Sequence, residues 1–202
     1  ELHIGASDMT LEFYLLPYLE KFHELHPDVK VKITNAPTPE TLKNITDGSV
    51  DLCLVSTPFE VGDGMEVRPV REIEDIFVAG RRYTQLKNHM TDFKELLDYP
   101  IISLEENTST RKYMDELLAQ NDVVLHPEFE LATSNMIVQF ALRNLGIGCV
   151  VRDFAQSEIE SGRLFEIRFN KMIPKRQICV VTNQKLPTSF AAKGLLDLLF
   201  AS

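Results

Sequence analysis

Apolar and polar positions along this chain switch repeatedly between a period of two and a period near three and a half. Leu2-His3-Ile4-Gly5-Ala6 reads as a short strand and Ser7-Asp8-Met9-Thr10 as a polar turn. An amphipathic helix follows through Leu15-Leu16-Pro17 and Phe22 to a stop at His26-Pro27. Val29, Val31 and Ile33 alternate with Lys30 and Lys32, the pattern of an edge strand blunted by lysines. Thr38-Pro39-Glu40 predicts a helix start, with a hydroxyl cap, proline in the first turn and an acid against the dipole. Leu42 and Ile45 share a face of that helix and Gly48 closes it. Val50–Val55 is a buried strand, which Thr57-Pro58-Phe59 leaves as a second polar loop. Strands alternating with helices predict a parallel sheet with right-handed crossovers.

The pattern breaks between residues 61 and 75. Val61-Gly62-Asp63-Gly64 is a turn, Val67–Val70 a short strand, and Ile76–Ala79 another. A second series then begins. Asp92–Leu97 reads as a short helix and Pro100–Leu104 as a strand. Glu105–Thr110 is a polar loop before a helix that buries Tyr113, Met114, Leu117 and Leu118. Phe129–Leu131 is a strand, and Thr133-Ser134-Asn135 caps a helix carrying Ile137, Phe140, Ala141 and Leu145, which Gly146 terminates. Ile147–Val151 is a buried strand, and Leu164–Phe169 alternates with Phe165, Ile167 and Phe169 on one side. Ile173-Pro174-Lys175 reads as a linker back to the first series. Gln177–Thr182 is a returning strand, and Thr188 or Ser189 caps a last helix through Leu195, Leu196 and Leu199. The plan is an α/β fold of two Rossmann-like lobes joined by two crossing segments. Lobe I is discontinuous (1–73 plus 173–202) and lobe II is continuous (74–172).

Composition narrows the class. A chain of 202 residues, 44% hydrophobic and 25% charged, has enough material for a sizeable core. No apolar run approaches a membrane span. The formal charge is −9, with 30 acidic residues against 21 Lys and Arg, and no basic run occurs. Such a chain is poorly suited to touch DNA itself, because that affinity comes mainly from cations at phosphates. Cys53, Cys149 and Cys179 each lie in an apolar strand-like run. Their odd number and their spacing fit neither a disulfide framework nor a metal site, so they read as buried thiols in a reducing compartment. The histidines form no metal pair, and no Ser/His/Asp order, Gly-x-Ser-x-Gly elbow or phosphate loop occurs. No catalytic residue, metal or cofactor is expected. The chain begins at Glu1 already inside a strand, without start methionine or leader, and reads as a piece of a longer protein.

An ordered series carries a family resemblance: Leu2-His3-Ile4-Gly5, Leu16-Pro17, Phe22, Pro27, Leu42, Gly48-Ser49-Val50-Asp51-Leu52 and Asn144-Leu145-Gly146-Ile147-Gly148. Together they resemble the effector-binding domain of LysR-type transcriptional regulators, over essentially the whole fragment. The resemblance implies a cytoplasmic regulator of periplasmic-binding-protein type II-like fold, with a small-molecule effector held between two lobes. It implies a homodimer or homotetramer, in which the first helix and the Val29–Ile33 strand meet a second subunit. DNA would be bound only through an N-terminal winged helix-turn-helix domain absent from this chain. Tyr83-Thr84-Gln85-Leu86-Lys87-Asn88-His89 stands where many members carry His-Pro-Leu.

Four strand-end loops are then the candidate ligand site: Ser7, Asp8, Met9 and Thr10; Ser56, Thr57 and Phe59; Glu106, Asn107 and Thr108; Ser134 and Asn135. Ser7 and Thr10 match positions that supply Ser or Thr contacts in the family. Hydroxyls at helix N-termini donate together with free N–H groups, which suits polar effector groups. The same hydroxyls also serve as helix caps. Asp8, Glu105 and Glu106 oppose a bare carboxylate unless Arg111 or Arg152 compensates, so a zwitterionic, amine-bearing or neutral effector is expected. The alternative function is a solute-binding protein of a transporter, which shares the fold. An enzyme on the same scaffold would need an acid–base pair, and none has convincing spacing.

Overall fold

A computed structural model describes residues 1–201. The chain divides into two compact units, Glu1–Glu72 with Gln177–Ser202, and Ile73–Arg176.

In the first unit, β1 (Leu2–Ala6) leads directly into a short helix α1 (Asp8–Thr10), a π-helical stretch (Leu11–Leu15) and α2 (Leu16–Leu25). Ser7–Thr10 is therefore not a turn but the first turn of a helix, because the Ser7 side chain caps it at once. Next come β2 (Val31–Thr34), α3 (Thr38–Thr46), β3 (Leu52–Ser56) and β4 (Met65–Ile73). The sheet order is β2-β1-β3-β12-β4, where β12 is the returning strand Arg176–Asn183. β1 is parallel to both β2 and β3, with Leu2 opposite Val31 and Ile4 opposite Leu52. β12 runs antiparallel to β3, so the sheet is mixed rather than wholly parallel. β4 extends well beyond the expected Val67–Val70 and contains Pro69, which an edge strand tolerates. Thr38 is already helical and its hydroxyl caps nothing; the Pro37 carbonyl accepts the first bond, from Thr41 N at 3.0 Å. Leu42, Ile45, Val50, Cys53, Val55 and Val181 form a buried cluster between α3 and the sheet.

The second unit opens with β5 (Asp75–Ala79), a 3-10 segment (Arg81–Leu86), β6 (Met90–Thr91) and a second 3-10 segment (Phe93–Asp98) capped by Asp92. It continues with β7 (Ile101–Leu104), α4 (Ser109–Ala119), β8 (Phe129–Leu131), α5 (Ser134–Leu142), β9 (Ile147–Val151) and α6 (Arg152–Glu160). β10 (Phe165–Glu166) and β11 (Arg168–Phe169) precede the return through β12. The main sheet order is β10-β5-β9-β7-β8, with β7 parallel to β8 and β9, and β5 antiparallel to β9. Alternation along β5 divides two cores. Phe77 and Ala79 join Met114, Leu118 and Ile147 on one face, and Ile76 and Val78 join Ile102, Ile137 and Val150 on the other.

The expected Leu164–Phe169 strand is broken in two, because Phe165 pairs with β5 while Arg168 and Phe169 pair with β6. Its three apolar side chains nevertheless enter one core. α5 ends at Leu142 and turns at Asn144, whose φ is 61°, two residues before the glycine expected to stop it. Asn tolerates this left-handed conformation. Gly146 is needed instead for a close approach: a Cβ there would lie 2.6 Å from the Pro100 carbonyl oxygen. The final helix, α7 (Phe190–Phe200), is capped by Ser189 and belongs to the first unit. Among the described residues, no helix is long and apolar enough to cross a membrane.

Candidate functional site

In the first unit, β1 and β3 are adjacent and parallel, so the loops after Ala6 and after Val55 emerge side by side from their C-terminal ends. This is where open α/β sheets bind ligands. Ser7 Oγ accepts the Thr10 amide at 3.2 Å, and the Ser7 amide donates to Thr10 Oγ1 at 3.0 Å. This reciprocal box fixes the loop. Thr10 is fully buried within it, Ser7 and Met9 are half-buried, and Asp8 is exposed. Asp8 accepts a 3.4 Å hydrogen bond from Asn35 Nδ2, a partner the sequence reading did not include. Ser56, expected in the neighbouring loop, is instead the last residue of β3 and is buried. Thr57 continues the pairing with β12: its amide donates to the Gln177 carbonyl at 2.9 Å and its hydroxyl accepts the Gln177 amide at 3.0 Å. Phe59 packs against the cluster of Leu42 and Val55.

The second unit repeats the arrangement. β7 and β8 are adjacent and parallel, with Leu104 opposite Leu131, and the Glu105 amide donates to the Leu131 carbonyl at 3.0 Å. The loops before α4 and α5 are thereby neighbours. Thr108 caps α4, accepting the Arg111 amide at 3.2 Å while its hydroxyl donates to the Glu105 carbonyl at 2.9 Å. Glu106 and Asn107 stand exposed beside it. Thr133 caps α5 at 3.4 Å from the Met136 amide, leaving Ser134 half-buried and Asn135 exposed at the helix start.

The cations next to these loops are already engaged. Arg111 is buried, and its guanidinium donates at 2.9 Å to the Leu104 carbonyl, to Glu130 and to Asp115. Glu106 lies 4.0 Å from it. Burial disfavours the Arg111 charge, but the hydrogen bonds and charges of Glu130 and Asp115 outweigh it and hold the guanidinium above its ordinary pKa. Arg152 donates to Glu74 at 3.1 and 3.2 Å and to Glu166 at 2.9 Å. The i,i+4 spacing of Arg111 and Asp115 was a readable signal. The Glu130 partner, on β8, and the Glu74 partner, between β4 and β5, were not.

Another pair had no sequence signal. Arg176 holds Asp75 by two 2.7 Å hydrogen bonds and donates to Thr110 Oγ1 at 2.9 Å, over the ring of Tyr113. The Tyr113 hydroxyl donates to the Pro174 carbonyl at 2.6 Å. The three cysteines are free and buried, and burial pushes the Cys53 thiol up to about 12. Among the described residues, no group of His, Cys, Asp and Glu is arranged to hold a metal.

Residues 1–202 match the family model of the LysR substrate binding domain. A probable RuBisCO transcriptional regulator from Cyanophora paradoxa is 27% identical over 197 residues, which is 95% of this chain and 61% of the relative. The HTH-type transcriptional activator CmpR of Synechocystis is 20% identical over 196 residues, 97% of this chain and 64% of the relative. The chain thus spans about three fifths of the length of these relatives. Among solved structures, the Synechocystis CcmR regulatory domain in complex with 2-PG superposes with a TM-score of 0.85 at 20% identity, covering 99% of this chain and 95% of that one. The QuiR effector-binding domain in complex with shikimate gives 0.81 at 16% identity, covering 99% and 95%. These neighbours share the periplasmic-binding-protein type II-like α/β fold with this chain.

Proposed function

This chain belongs to the LysR substrate binding domain family, and on that premise we propose that it is the ligand-sensing part of a cytoplasmic transcriptional regulator. The effector is a small metabolite taken up at strand-end loops. The observation that carries this reading is the match over residues 1–202, joined to paired loops at the C-terminal ends of parallel strands in each unit. Relatives named as transcriptional regulators favour this reading over a transporter's solute-binding protein. The free, buried cysteines support a reducing compartment. The acidic balance of the chain supports assigning DNA contact to a winged helix-turn-helix domain outside these residues. The sensing domain works as a homodimer or homotetramer and has no catalytic role.

The effector is zwitterionic, amine-bearing or neutral. Asp8 and Glu106 are exposed carboxylates in the loops, the four loops hold no Lys or Arg, and the guanidinium groups of Arg111 and Arg152 are committed to protein acids. A thermal-shift screen of amino acids, organic acids, 2-phosphoglycolate and shikimate tests this, since a ligand of the native state raises Tm. An amine-bearing or neutral ligand should stabilise the chain. For an amine, Asp8→Asn should weaken calorimetric binding about tenfold or more, the scale of a lost charge-assisted hydrogen bond. Tight binding of succinate or 2-phosphoglycolate, unchanged in Asp8→Asn, would overturn the effector class while leaving the sensor reading intact.

A further inference from the structure

The helical run that starts at Ser7 continues without a break from Asp8 to Leu25, but its second turn is wide: the Leu16 amide donates to the Leu11 carbonyl, a five-residue step. The sequence supplies the reason. In an α-helix the Phe13 carbonyl would accept the amide of residue 17. Residue 17 is proline, which has no N–H and whose ring crowds the carbonyl four positions earlier. A single π turn relieves that crowding, and such turns recur at functional sites. The Phe13 carbonyl accepts from a side chain instead: Arg71 Nη1 of β4, 58 positions away, donates to it. A guanidinium–carbonyl bond is charge-assisted and stronger than the amide bond it replaces.

We propose that Arg71 is a positioning residue for the effector loop: it holds the π turn open by serving the carbonyl whose α-helical donor Pro17 removes, and so couples the geometry of Ser7–Thr10 to β4. Leu11 joins the two features. Its amide donates to the Ser7 carbonyl at 2.9 Å, closing the capping box, and its carbonyl is the acceptor across the π turn. A displacement of the loop backbone therefore changes the turn, and with it the bond to Arg71. That bond lies one residue before the end of the first unit, on the strand along which the chain leaves it. Coupling of this kind is reciprocal, so Arg71 sets the loop as much as the loop sets Arg71. The proposal rests on the reading of Ser7–Thr10 as an effector loop.

Amide hydrogen exchange of the nitrogen-15-labelled 202-residue chain, without ligand, tests it. Arg71→Gln should speed exchange at Thr10 and Leu11 about tenfold or more, the scale of a lost charge-assisted hydrogen bond, while Phe77 and Val150 in the second unit keep their rates. In a Pro17→Ala background residue 17 regains its N–H, and Arg71→Gln should then change the Thr10 and Leu11 rates less than about threefold, the non-additivity of two groups that serve one carbonyl. Ser7→Ala, which breaks the capping box, should shift the side-chain Nε–H signal of Arg71. The proposal is overturned by any of four results: unchanged rates at Thr10 and Leu11 in Arg71→Gln, equally faster exchange throughout the first unit, the same acceleration in the Pro17→Ala background, or an unmoved Arg71 signal in Ser7→Ala. Every readout is taken on the free chain. Failure here leaves the sensor reading standing, and a chain that no metabolite stabilises would leave the Arg71 coupling standing.

Discussion

Asp75 and Arg176 lie 101 positions apart, yet their side chains are 0% and 1% exposed and share two hydrogen bonds of 2.7 Å. Removing two charges from water is costly, and only a bidentate geometry with every remaining donor engaged offsets it. Deleting one partner strands the other in the interior. Asp75→Ala should therefore destabilise the fold by about 3–5 kcal/mol, read as a lower urea midpoint at unchanged slope. A loss below about 1 kcal/mol would mean that water reaches the pair. Nothing in the sequence marks which acid meets which arginine at such a separation, because pairing depends on strand order. Local chemistry was legible. Ser7 is readable as a cap because a cap satisfies amides two or three residues away, whereas Ser109 and Ser134, which offer the same hydroxyl, stand one residue past the actual caps Thr108 and Thr133. The burial of Thr10 was not: its position among ligand candidates came from the loop, whereas its hydroxyl is held by Ser7.

At the scale of elements, strong caps and long apolar runs were readable and compromises were not. Thr188 or Ser189 was expected to cap the last helix, and it is Ser189 that accepts the Ala192 amide, at 3.1 Å. Ser189→Ala should lower stability by about 1 kcal/mol, seen as a fall of a few degrees in Tm; an unchanged Tm would show that the helix end is held by packing alone. α6 escaped the sequence reading because its apolar face is narrow, with Ala155 its one fully buried residue. The helix turns at the left-handed Asn144, whereas glycine, the commoner helix stop, points to Gly146. The break between β10 and β11 is invisible to a period-two pattern, which records the face a side chain takes and not the strand its backbone joins.

For the whole molecule, the β-α series on either side of residues 61–75 carried the fold class, and the parallel pairing expected of the first series holds for β1, β2 and β3. β12 against β3, and β5 against β9, are antiparallel, and a run of apolar residues has no direction. If effector binding acts by a population shift, the effector must favour one arrangement of the two units by its differential affinity. Small-angle scattering with a saturating ligand from the screen should then show a changed radius or oligomer. An identical profile would require signalling without closure.

The position of β12 has a consequence for how the chain is made. β12 lies between β3 and β4, and β4 has no other neighbour in its sheet. The ribosome delivers β12 only after all of Ile73–Arg176. The half that emerges first is thus the half that finishes last, left with an open sheet edge through most of synthesis. The half that emerges second already holds every strand of its own main sheet before β12 is complete. Exposed edges in unfinished chains are where misassembly starts. In this protein the hazard falls on β3 until its missing neighbour arrives.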